Sequence, residues 1–143
     1  MKLTTLVLSL SLISLYSSAN EYETTLGLGH QYGGVLGAKF AYKTESTKYY
    51  AALGLVGVSV GFQTTFSENS QHAFGLAIGR EEIQSEDGFI FATYDFHLKG
   101  FSQDGWVIGT GIGITREDKG GLYSDSGQSE TSGAVTLSVG YKF

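Results

Sequence analysis

A hydrolytic or acyl-transfer site in this chain would draw on three kinds of side chain: histidine, the carboxylates and the Ser and Thr hydroxyls. The histidines are His30, His72 and His97. A hydrolytic or acyl-transfer site needs a His in hydrogen-bond reach of a nucleophile, with an acid to orient it. No His here stands with a Ser and an acid in an evident triad arrangement, so no enzyme is expected. The acidic residues Glu81, Glu82, Glu86, Asp87, Glu117, Asp118, Asp125 and Glu130 fall in two hydrophilic stretches without the spacing of a calcium loop. There are no cysteines, which removes disulfides and thiolate metal sites. No phosphate loop or dinucleotide fingerprint is present, so neither a cofactor nor a metal is implied. A net charge of −5 without a basic cluster argues against a nucleic-acid partner.

What remains is a set of isolated ionisable residues among small and apolar neighbours: Glu23, Lys39, Lys43, Asp95, His97 and Lys142. Charges taken out of water must pair. Whether these meet depends on the elements that carry them.

The clearest element is the last one, Gly133 to Phe143. Val135, Leu137, Val139, Tyr141 and Phe143 alternate with Ala134, Thr136, Ser138, Gly140 and Lys142. A period of two is a strand. The same rhythm recurs seven times before it. Tyr22–Tyr32 alternates up to a turn at Gly33-Gly34. Leu36–Lys43 follows, with a polar turn at 44–47. Tyr49–Leu55 leads through a two-residue turn at Val56-Gly57 into Val58–Phe66, and the apolar parity switches there as such a turn requires. After a turn at 67–70 come His72–Gly79, an acidic loop from Arg80 to Gly88, and Phe89–Leu98. A turn at 99–105 leads to Trp106–Thr115, and a hydrophilic loop from Arg116 to about Ser132 precedes the closing strand. Eight strands of about ten residues have the length that a tilted strand needs to cross a hydrocarbon layer. Proline is absent and glycine numbers 21, which suits a chain whose backbone donors are nearly all used in ladders.

The N-terminus reads differently. Met1-Lys2 precedes an apolar run from Leu3 to Leu15, and Ser17-Ser18-Ala19 supplies small residues for cleavage. Residues 1–19 are predicted to be a secretory signal peptide, and 20–143 a single exported domain.

Two patterns point to a transmembrane barrel in place of a soluble one. In an up-and-down meander the strand ends on the side of the termini carry Tyr22, Phe40, Tyr42, Tyr49, Tyr50, Phe66, Phe96, Phe101, Trp106, Tyr141 and Phe143. Rings at one level mark a membrane–water interface. Opposite the apolar face lie Gly27, Gly29, Gly37, Gly54, Gly61, Gly75, Gly79, Gly109, Gly111, Gly113 and Gly140, as a narrow lumen demands. The lumen is then where Glu23, Lys39, Asp95, His97 and Lys142 are expected to form a charge network, filling it as a plug. His30 and His72 are expected to point outward.

With its signal peptide, strand rhythm and terminal Val-Gly-Tyr-Lys-Phe143, the chain resembles the small eight-stranded outer-membrane barrels of Gram-negative bacteria, the class of the OmpA transmembrane domain and OmpX-like proteins. The resemblance covers Glu21–Phe143. It implies that Tyr141 and Phe143 are the signal read by the barrel-assembly machinery, and that outer-membrane lipid and lipopolysaccharide are partners. The expected role is structural or surface-interactive. The alternatives are a narrow porin-like channel and a secreted ligand-binding β-barrel. The very short loops at Gly33-Gly34 and Val56-Gly57 speak against a long-loop adhesin.

Overall fold

Most of the period-two alternation becomes strand in the computed structural model, which describes residues 21–82, 85–118 and 129–143. The eight strands are β1 (Tyr22–Gly29), β2 (Gly34–Lys43), β3 (Thr47–Gly54), β4 (Gly57–Thr64), β5 (His72–Glu81), β6 (Ser85–His97), β7 (Gly105–Asp118) and β8 (Ser129–Lys142). Each pairs antiparallel with the next, and β1 closes on β8 to form a barrel. The predicted signal peptide, 1–19, lies outside the described residues, as does Asp125.

The inside-outside assignment follows the alternation. Outward positions between the aromatic level and Arg80 or Arg116 carry no Asp, Glu, Lys or Arg among the described strands. Leu26, Leu53, Val60, Ile78, Ile90, Ile112 and Leu137 are exposed there. The inward positions hold Lys39, Lys48, Asp95, His97 and Lys142, all buried. Aliphatic side chains thus face out and these charges face in.

Most of the aromatic side chains near the start of β1 and the end of β8 face outward. Tyr22 packs on Tyr42 with centroids 5.5 Å apart, Trp106 on Tyr141 at 5.3 Å, and Tyr141 on Phe143 at 5.2 Å. Phe96 lies against the outward His72 at 5.4 Å. Tyr49 and Phe66 are exposed. Two rings depart from the expected girdle: Tyr50 and Phe101 are buried inside. Tyr50 has the inward parity of β3, and Phe101 is carried inward by its loop.

Several boundaries differ from the sequence reading. The turn between β3 and β4 is centred on Leu55-Val56, since Leu53 pairs with Val58. The expected loop at 80–88 is largely strand: Glu81 pairs with Ser85. The expected loop at 116–132 is shorter, because Arg116 pairs with Thr131, Glu117 with Glu130 and Asp118 with Ser129. Polar residues do not stop a ladder whose hydrogen bonds are already in register.

The largest departure is at the first hairpin. The alternation of Tyr22–Tyr32 predicts strand to the end, yet β1 stops at Gly29. His30–Tyr32 forms a 3-10 turn that folds into the barrel, burying Gln31 and Tyr32. Gly29, Gly33 and Gly34 take φ of 109°, 78° and 109°, a region that residues with a Cβ avoid. Three glycines around three residues allow the reversal.

Candidate functional site

The lumen is the only place where the fold gathers many ionisable side chains among the described residues. It holds them in three layers.

The lowest layer, level with the start of β1 and the end of β8, joins β1, β3 and β8. Lys48 Nζ donates to Glu23 Oε1 at 3.0 Å and lies 2.7 Å from Oε2. Lys142 Nζ lies 3.7 Å from the same Oε2. The loop between β6 and β7 folds under these groups. Its Phe101 carbonyl accepts from Lys142 Nζ at 2.7 Å and also from Lys48 Nζ. The Gly100 carbonyl accepts from Lys142 at 3.2 Å. The Phe101 ring lies 4.0 Å under the Lys48 ammonium, a cation–π contact in a desolvated place. One carboxylate and two carbonyl oxygens therefore serve two ammonium groups. The buried Phe101 closes this end.

The middle layer centres on Asp95. Its Oδ1 accepts from Gln31 Nε2 at 3.1 Å and its Oδ2 from Gln63 Nε2 at 2.7 Å. Gln31 Oε1 accepts from Lys39 Nζ at 3.4 Å, so a glutamine links the lysine to the carboxylate. Lys39 Nζ also sits 4.6 Å from the Tyr32 ring centroid and 4.5 Å from that of Tyr50. Ser59 Oγ donates to the Gln31 carbonyl at 3.0 Å.

The upper layer is aromatic. His30 packs edge-on against Phe89 at 5.3 Å and Phe91 at 5.2 Å. Its Nε2 lies 3.0 Å from Glu81 Oε1, close enough for an ion pair without the angle of a hydrogen bond. With Tyr32 below it, this layer closes the other end.

Glycine makes the room. A Cβ on Gly27 would come 2.6 Å from the Tyr32 ring, and one on Gly61 would come 2.7 Å from the Tyr50 hydroxyl. The small face of the strands is the mould for the inserted rings.

The expected network of Glu23, Lys39, Asp95, His97 and Lys142 is thus two networks. Lys39 joins Asp95, while Lys142 joins Glu23 some distance below. His97 joins neither: its ring nitrogens have no hydrogen-bond partner among the described residues, and its ring packs on Phe101 at 5.3 Å. His30, expected to point outward, points in. Glu81, expected on a solvated loop, is buried. His72 does face out, with Nδ1 2.6 Å from the Tyr94 hydroxyl.

Sequence reasoning missed Lys48, Gln31, Gln63 and Tyr32. For Lys48 a signal exists: it shares the parity of Tyr50 and Ala52, and a strand begun at Thr47 in place of Tyr49 would have turned it inward. Gln63 was visible as an inward position without a charge to draw notice. Nothing in the alternation announces Gln31 and Tyr32.

The lysines, Glu23, Asp95 and the glutamines of the lumen are paired, the Tyr50 and Thr93 hydroxyls and the His97 ring nitrogens have no hydrogen-bond partner among the described residues, and rings cap both ends. Among the described residues no group of His, Asp and Glu is arranged to hold a metal ion. No family model, characterised protein or solved structure matches the chain.

Proposed function

We propose that this chain is a small integral outer-membrane β-barrel of the Gram-negative type, with a closed lumen and a structural or surface-interaction role. The observation that carries this reading is the inverted surface. The wall is uncharged from the level of Tyr22, Tyr42 and Trp106 up to Arg80 and Arg116. Eight or nine residues of strand tilted by about 40° span roughly 20–25 Å, near the apolar band of such barrels. Ionic groups inside and aliphatic groups outside suit lipid as the surrounding medium. Export would be directed by residues 1–19. Tyr141 and Phe143, packed edge-on and lipid-facing in this reading, would present the assembly signal. Lipid and lipopolysaccharide contact the band and its upper rim, and no catalytic step is assigned.

A secreted ligand-binding barrel would keep Trp106 and Ile112 inside, yet both are exposed. A narrow channel would need an open axis, which Tyr32 and Phe101 occupy.

The test is fractionation with heat-modifiable gel mobility. The protein is expected in the outer-membrane fraction, migrating differently before and after boiling. A soluble periplasmic protein with no heat shift would overturn the membrane reading. Nitroxides in the cysteine-free chain sharpen the test. A label at Ile112 should be relaxed strongly by lipid-dissolved oxygen and one at the inward Ala77 weakly. Equal relaxation would count against a lipid-facing wall.

A further inference from the structure

The closure between β1 and β8 is incomplete. β8 pairs with β1 only from Lys142 up to Val139, opposite Thr25 to Leu28. Above Val139, β8 continues to Ser129 paired with β7 alone among the described residues. Its backbone groups alternate in direction. The Thr136 carbonyl accepts from Thr110 Oγ1 on β7 at 2.9 Å, so even-numbered residues point to β7. The Val139 and Leu137 carbonyls lie against Gly27 and Gly29, so odd-numbered residues point the other way. At Val135 and Gly133 that side holds no strand among the described residues. Val135 and Leu137 are 73% and 77% exposed, the most exposed apolar side chains in any strand.

Beside this edge lies a groove of about 320 Å³, lined by His30, Glu81, Val35, Val135, Thr136 and Leu137 among others. Glu81 is only 5% exposed and among the described residues is paired with His30 alone. The surrounding end is acidic: Glu82, Asp87, Glu117 and Glu130 are exposed, against Arg80 and Arg116.

We propose that this notch is a docking site for a cationic peptide in extended conformation. The peptide runs antiparallel to β8 and adds a strand along Gly133–Val135, ending where Gly29 lies against the Leu137 carbonyl. An edge of unpaired N–H and C=O groups is completed by another backbone, and an acidic groove selects positive charge. The pleat sets the pattern. Peptide residues opposite Gly133 and Val135 face outward and are apolar. The one opposite Ala134 faces inward, where a Lys or Arg reaches Glu81. Val135 pairs with Ile112, so in the membrane reading this edge lies in the upper part of the lipid-facing wall, where unpaired backbone groups are costly and an added strand would satisfy them; the micelle assay below reads binding whether or not that reading holds.

The test uses refolded protein in detergent micelles and a fluorescent octapeptide alternating Val and Lys, followed by anisotropy. Saturable binding is expected, with none for the Val-Glu counterpart. Glu81→Gln should weaken binding about tenfold, the loss of one charge-assisted hydrogen bond. Val135→Pro removes only an edge-facing N–H and should weaken it comparably. A Val-Lys peptide N-methylated on its β8-facing amides tests the same bond with the protein untouched. Absence of binding overturns the proposal, as does binding unchanged by Glu81→Gln and by N-methylation. Equal binding of the Val-Glu peptide also overturns it.

Discussion

Glu23→Gln will destabilise the folded barrel by roughly 3 kcal/mol, a larger loss than any exposed ion pair would give. The substitution keeps the shape of the side chain and deletes its charge. Lys48 and Lys142 are fully buried, and Glu23 is the carboxylate that both of them meet. Without it, two ammonium groups share two carbonyl oxygens and a ring. Removing one partner of a buried pair typically costs about 3–5 kcal/mol because the other charge stays desolvated. Glu23 is itself partly exposed, which places the expectation at the low end. An exposed pair would lose only about 0–1 kcal/mol. Urea unfolding of the refolded protein in lipid vesicles measures the difference. The double variant Glu23→Gln with Lys48→Met should recover part of the loss, since it removes one stranded charge. A Glu23→Gln loss below about 1 kcal/mol, with no recovery in the double variant, would show that water reaches these lysines and that the lower lumen is not sealed.

The second large effect belongs to the two rings that close the lumen. Tyr32→Ala should lower stability by about 3–5 kcal/mol, the usual range for deleting a buried aromatic side chain. It also empties the space beside Gly27 and Gly140. Planar bilayers should nevertheless show no steady conductance steps, because Phe101 still blocks the lower end. Phe101→Ala alone should likewise be silent. The double variant, Tyr32→Ala with Phe101→Ala, should produce small steps. Steady steps from the unsubstituted protein would overturn the closed-lumen reading. A silent but folded double variant would assign the seal to the polar groups between the two rings.

The architecture was legible in the sequence because a barrel wall is a one-dimensional code. Each residue faces in or out, and period two says which. Lys39, Asp95, His97 and Lys142 were placed inside on that basis alone, and Tyr22, Tyr42, Tyr49, Phe66, Phe96 and Trp106 outside. What the code lacks is height. Lys142 and Asp95 share a face, but strand stagger separates them, and only pairings such as Val107 with Gly140 fix that stagger. The code also fails where the chain leaves the wall. His30, Gln31 and Tyr32 continue the alternation of β1, yet glycine on either side lets the backbone reverse into the lumen. The same limit hid Phe101. Glu81 was misplaced for another reason: a run of charges was read as loop, although the β5–β6 ladder continues through it.

The short seam between β1 and β8 also has a consequence for how the barrel comes apart. Four residue pairs join these strands, from Thr25–Lys142 to Leu28–Val139, whereas fourteen join β7 to β8. The seam also links the most distant parts of the chain, so it has the fewest ladder bonds and the largest loop to close. Closure is then expected to be the last event of assembly and its reversal the first event of unfolding. Amide exchange along the β1 side of the seam should report that opening well before the β6–β7–β8 wall yields.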